Sequence, residues 1–197
     1  MIGIIDYGAG NMFSLKNALN FLGVKFSIVT NPSQIDDKTG LILPGVGAFP
    51  EGIKRLTDSG IANKLKTYKK PLLGICLGMQ LLFEESEEFT PTRGLGLIPG
   101  RLVKITGELK IPHMGWNELE IINHSKLTIN IPLTSYVYFV HSYKAITQAP
   151  YIEAITNYGG PVCAIVSSGN VAGTQFHPEI SGEVGLKILM NFVGGCL

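Results

Sequence analysis

Apolar residues in the first eighty positions fall into short blocks separated by amphipathic stretches. Ile2-Gly3-Ile4-Ile5, residues 24–29, Leu41-Ile42-Leu43 and Leu72-Leu73-Gly74-Ile75 are four such blocks. Their length suits a strand buried on both faces and is too short for a core helix. Between them, residues 13–22 carry Phe13, Ala18, Leu19 and Leu22 near helical spacing, and residues 50–70 read as a helix broken near Ser59-Gly60. Residues 77–87 read as the helix that follows the fourth strand. Strands alternating with helices imply parallel strands joined by crossovers. From 97 to 175 the pattern becomes strand-rich, with blocks at 102–105, 127–129, 136–140, 151–155, 162–166 and 171–176, and 182–193 reads as a closing helix. The expected fold is one α/β domain over 1–197. It has a mostly parallel sheet flanked by helices, with an antiparallel extension in the C-terminal half.

Composition narrows the function classes. Hydrophobic residues make up 45% of the 197 and charged residues 16%, which argues against disorder. Sixteen basic and fifteen acidic residues leave a formal charge of +1, so nothing electrostatic points to nucleic acid. No apolar run approaches the ~20 residues that span a bilayer, and the first residues read as a buried strand rather than a signal peptide. Three scattered cysteines, Cys76, Cys163 and Cys196, make no disulfide framework and fit a reducing, cytoplasmic setting. No two Cys or His residues have close zinc-ligand spacing, and neither metal nor cofactor is expected.

Candidate chemistry centres on Gly74-Ile75-Cys76-Leu77-Gly78, a G-x-C-x-G pattern where a buried strand meets a helix. The related G-x-S-x-G pattern makes a nucleophile elbow in that context, because a tight turn excludes bulk two places either side. The helix N-terminus favours the thiolate, and the Leu77 N–H is placed to meet a developing oxyanion. The blander reading is a buried structural cysteine, preferred here for Cys163 and Cys196. His177 and Glu179, in Gln175-Phe176-His177-Pro178-Glu179, are two apart on a segment that Pro178 biases toward extension, so their side chains can leave on one side. A carboxylate beside the imidazole would complete a thiol–base–orienter triad; otherwise the two are an exposed turn pair. His113, His124 and His141 are weaker candidates for the base. The turn Pro44-Gly45-Val46-Gly47 could offer further N–H groups to an oxyanion, or could be an ordinary strand–helix turn.

The blocks Pro44-Gly45-Val46-Gly47, Gly74-Ile75-Cys76-Leu77-Gly78-Met79-Gln80 and Gln175-Phe176-His177-Pro178-Glu179 resemble the class I (triad) glutamine amidotransferases in order and spacing. Asp6-Tyr7-Gly8-Ala9-Gly10-Asn11, Leu81-Leu82-Phe83-Glu84-Glu85-Ser86, Pro112-His113-Met114-Gly115-Trp116-Asn117 and Tyr138-Phe139-Val140-His141-Ser142-Tyr143 look like the histidine-biosynthetic branch of that family. The resemblance covers nearly the whole chain. It implies a glutaminase that passes ammonia to a (β/α)8-barrel cyclase subunit in a heterodimer. It implies catalytic roles for Cys76, His177 and Glu179, and an oxyanion hole from Gly45, Val46, Gly47 and Leu77. Gln80, Glu88, Ser142 and Tyr143 would hold the amino and carboxylate end of glutamine. Asn11, Met114, Trp116 and Tyr138 would face the cyclase. By the residues alone, Gln80 is a polar helix position one turn beyond Cys76, Trp116 a half-buried core aromatic, and 84–88 a solvated acidic face. The family pattern usually continues His-Pro-Glu-Lys-Ser; Ile180 stands at the Lys position here, which bears on the identity of the partner. Other readings are a γ-glutamyl or cysteine peptidase on the same triad, an amidotransferase for another acceptor, and a non-enzymatic flavodoxin-like module with a ligand at Asp6-Tyr7-Gly8-Ala9-Gly10-Asn11.

Overall fold

The computed structural model describes residues 1–196. In chain order its elements are β1 (Ile2–Ile5), α1 (Met12–Phe21), β2 (Phe26–Val29), β3 (Gly40–Gly45), α2 (Phe49–Asp58), α3 (Ile61–Thr67), β4 (Leu72–Cys76) and α4 (Leu77–Leu81). They continue as β5 (Phe83–Ser86), β6 (Thr92–Arg93), β7 (Ile98–Lys104), β8 (His113–Ile121), β9 (Ser135–His141), β10 (Tyr143–Ile146), β11 (Ile152–Asn157), β12 (Pro161–Ser168), β13 (Val171–Thr174) and α5 (Gly182–Gly194).

One nine-stranded sheet runs β2-β1-β3-β4-β13-β12-β11-β8-β9. Its first five strands are parallel, and the remaining four pair antiparallel. The parallel strands alternate which face they serve. Ile5, Leu43 and Leu72 pack beneath α2 and α3, with Leu56 and Ile61, while Ile4, Ile42 and Leu73 pack against Leu15 and Leu19 of α1 and Ile188 and Leu189 of α5. Burial on both faces is what the continuous apolar runs of β1, β3 and β4 require.

Of three departures from the sequence pattern, two are set by partners distant in sequence and one by exposed apolar side chains. The expected helix over 77–87 stops at Leu81, because residues 83–86 pair in parallel with β7, Phe83 opposite Ile98 and Ser86 opposite Leu102. That pairing belongs to a second, four-stranded sheet, β10-β7-β5-β6, which covers the α2 side of the core. The block at 127–129 is not a strand: the Leu127 and Ile129 carbonyls accept from the Asn191 side chain of α5 instead of from a neighbouring strand. Strand β8 lacked a clear signal because its outward positions carry Met114 and Trp116, 60% and 53% exposed, which blurs the apolar–polar alternation.

Candidate active site

β4 ends on Cys76 and α4 begins on the next residue, so the cysteine is the corner between a central strand and a helix. Its backbone sits at φ 53°, ψ −111°, a left-handed conformation that costs a residue with a Cβ about 1–3 kcal/mol. The glycines beside it are steric necessities. A Cβ at Gly74 would lie 2.6 Å from both the Gly78 carbonyl oxygen and the Met79 nitrogen, and one at Gly78 would overlap the Leu43 carbonyl. Gly45, paired with Cys76 across β3 and β4, has the Tyr7 hydroxyl 2.6 Å from where its Cβ would be.

Strand order gathers the rest. β3 and β13 flank β4, so the turns after them, 45–47 and 175–179, rise beside the cysteine. The His177 Nδ1–H donates to the Glu179 carboxylate at 2.8 Å, and both side chains are nearly sealed, 5% and 2% exposed. Cys76 and His177 line the same cavity. Burial alone would lower the His177 pKa; hydrogen bonds and charge from Cys76 and Glu179 outweigh it and raise the value to about 10. Ser181, also buried, holds this turn to β9: it donates to the His177 carbonyl at 2.6 Å and accepts from the Tyr138 N–H at 2.9 Å.

A cavity of 430 Å³ opens over these strand ends, within the range of small-molecule sites. Cys76, Leu77 and His177 line one wall and Val46 and Gly47 another; Gln80, Glu88, Ser142 and Tyr143 complete it. Glu179 stands behind His177, outside the cavity lining, and Glu88 caps α2 by accepting from the Phe49 N–H at 2.7 Å. Asn11 is the N-cap of α1, its side chain accepting from the Ser14 N–H. Met114, Trp116 and Tyr138 lie apart from the cavity on the outer hairpin, where Trp116 and Tyr138 are cross-strand partners with ring centroids 6.1 Å apart. Ile180 is 39% exposed on the turn after His177.

Sequence reasoning missed several buried polar groups at this site. The Cys76 thiol faces the Val140 carbonyl at 3.8 Å, and Gln175, fully buried, reaches the sulfur from another side. His141 lines the cavity beside His113. The Tyr143 carbonyl can only accept, so His141 carries its proton on Nδ1 (2.8 Å) and its Nε2 accepts from His113 Nδ1–H (3.0 Å). His113 is stacked between Phe139 and Tyr158, and its own Nε2 has no partner. Burial lowers both histidines to about 4. Their unfolded-state value lies near 6.5, so the stability that these neutral rings contribute is full above about pH 6.5 and is lost as pH falls toward about 4. Ring resonances followed by NMR should therefore keep their neutral form down to about pH 5; protonation of either ring near pH 6.5 would contradict this packing.

The glutamine amidotransferase class-I family model matches residues 3–195. Imidazole glycerol phosphate synthase subunit HisH from Bacillus cereus (strain B4264) is 48% identical, the match covering 98% of this chain and 94% of that protein. The HisH subunit from Listeria monocytogenes serotype 4b (strain CLIP80459) is 47% identical with the same coverage. Among solved structures, a chain of PurLQS from Thermotoga maritima superposes with a TM-score of 0.73 over 98% of this chain and 97% of that one; at 22% identity it speaks for the fold alone. Matched by the family model and by these relatives over almost its whole length, the chain belongs to the class-I glutamine amidotransferases.

Proposed function

We propose that this chain is the glutaminase subunit of an imidazole glycerol phosphate synthase, hydrolysing glutamine to glutamate and ammonia and passing the ammonia to a (β/α)8-barrel cyclase in histidine biosynthesis. The observation that carries the chemistry is a cysteine at a strand–helix corner and an imidazole, its Nδ1 held by a buried carboxylate, lining one cavity of amino-acid size. Near-half identity to HisH subunits over the full length supports the pathway. The three free cysteines fit a cytoplasmic setting.

In this reading His177 takes the Cys76 proton and the thiolate attacks the side-chain amide carbon of glutamine. N–H groups of the loop 45–47 and of Leu77 hold the oxyanion. His177, oriented by Glu179, protonates the departing ammonia, leaving a glutamyl thioester. A water activated by His177 then releases glutamate and restores the thiol. Gln80, Glu88, Ser142 and Tyr143 hold the amino and carboxylate end of the substrate.

Met114, Trp116 and Tyr138 form the cyclase-facing surface in this reading, and Asn11 is assigned to it by family resemblance. Trp116 and Met114 stay more than half exposed on one strand face, with Tyr138 edge-on beside the indole, and such a patch suits a partner interface better than open solvent. Because free ammonia would be wasted, adding a (β/α)8-barrel cyclase subunit should accelerate glutamate release by at least about tenfold. Trp116→Ala should weaken cyclase binding by about 30-fold, ~2 kcal/mol, and leave the unfolding midpoint nearly unchanged. Equal glutamate release with and without the cyclase would refute the coupling.

A further inference from the structure

Behind the cavity wall, Gln80, which lines it, meets a buried residue with no part in the reaction scheme above, Gln175. Gln80 and Gln175 are 95 positions apart in sequence and meet side chain to side chain, 6% and 0% exposed. Their orientations are forced. The Tyr143 carbonyl can only accept, so the Gln80 atom 3.2 Å from it is the amide nitrogen. That nitrogen also donates to Gln175 at 3.0 Å, so Gln175 must present its oxygen there. The Gln175 amide nitrogen is thereby turned toward Cys76, 3.9 Å from Sγ. The His141 N–H donates to the same Tyr143 carbonyl, which anchors the chain of bonds to β9.

The sulfur therefore has an acceptor on one side and a donor on another. The Val140 carbonyl, 3.8 Å away, suits the neutral thiol, which has a proton to give. Once the proton has moved to His177, that carbonyl repels the sulfur, and the Gln175 N–H becomes its favourable neighbour. A contact of 3.9 Å is long for a neutral thiol, but a hydrogen bond to an ionised acceptor is shorter and roughly twice as strong. We propose that Gln175 is a positioning residue whose fixed side-chain N–H holds the Cys76 thiolate in its attacking orientation, offsetting the repulsion of the Val140 carbonyl. The inference rests on the glutaminase reading and adds a residue to it.

Alkylation of Cys76 by iodoacetamide across pH, in the full chain, tests this directly, with the modified peptide quantified by mass. In Gln175→Leu the midpoint of the profile should rise by about one pH unit, with about tenfold slower alkylation at neutral pH. Gln175→Glu is nearly isosteric but places a negative charge beside the sulfur, and should raise the midpoint further. Gln80→Met, which frees Gln175 to rotate, should shift it in the same direction by less; it carries the test if substitution at 175 prevents folding. With cyclase in excess, the kcat of Gln175→Leu should fall about tenfold while KM moves less than about threefold. Unchanged alkylation midpoints overturn the inference even if kcat falls, since a structural role alone would not move them. Wild-type chain that keeps hydrolysing glutamine after Cys76 is alkylated would instead refute the glutaminase reading, a separate outcome.

Discussion

Cys76→Ala is expected to lower glutamine hydrolysis by at least about 10⁴-fold while leaving the fold intact. Residues of a triad act as a unit, and removing the nucleophile alone costs nearly as much as removing all three. Neither of the other two cysteines can take over. Cys163 is buried in β12, where burial pushes its pKa up to about 11, and Cys196 lies beyond the end of α5 with a pKa likewise raised to about 11. Neither sulfur lines the cavity. Stability should change little, because alanine keeps the Cβ and with it the same left-handed strain at φ 53°; the loss is one sulfur from a residue 7% exposed, about 1 kcal/mol. The measurement is glutamate release in the presence of the cyclase, with a thermal melt of the same preparation. A well-folded alanine variant that retained activity would return the molecule to the binding-module reading.

The largest stability effect belongs to Gly78→Ala. The added Cβ would lie on the Leu43 carbonyl oxygen and 2.8 Å from the Leu43 carbonyl carbon, both backbone atoms of β3. β3 is held between β1 and β4 in the middle of the parallel sheet and cannot shift without breaking two ladders. We expect a loss of more than about 4 kcal/mol, at the exceptional end for a single substitution, or failure to fold. Gly194→Ala is the matched control: it lies in the last turn of α5, is exposed and meets nothing within 4 Å. Removing a helical glycine there should stabilise the protein by up to about 1 kcal/mol. Urea unfolding of both variants decides the point. A Gly78→Ala protein as stable as its parent would mean that the corner at Cys76 can open, and the strained geometry would lose its steric explanation.

Features confined to a few consecutive residues could be read directly from the chain. The corner at Cys76 needs small neighbours two places away, so Gly74 and Gly78 announce it wherever the rest of the molecule lies. His177 and Glu179 meet because they are two apart around a proline, again a local fact. The parallel strands were visible because burial on both faces leaves uninterrupted apolar runs. The misreadings fell where a partner distant in sequence overrules local preference. Glu84 and Glu85 look helical, yet that stretch is a strand because β7 offers a ladder; 127–129 looks like a strand, yet Asn191 takes its carbonyls.

Local chemistry along the chain was enough to name the nucleophile, its base and the parallel half of the sheet, since each depends on backbone sterics or burial period within a few positions. The folded arrangement alone determines which buried polar groups face one another. Gln80 meets Gln175, His113 meets His141, and the Val140 carbonyl meets Cys76 because β13 inserts beside β4 and β9 closes over the strand ends. Such contacts depend on strand order and register, which set distances between residues far apart in sequence and leave no mark in the periodicity of either segment.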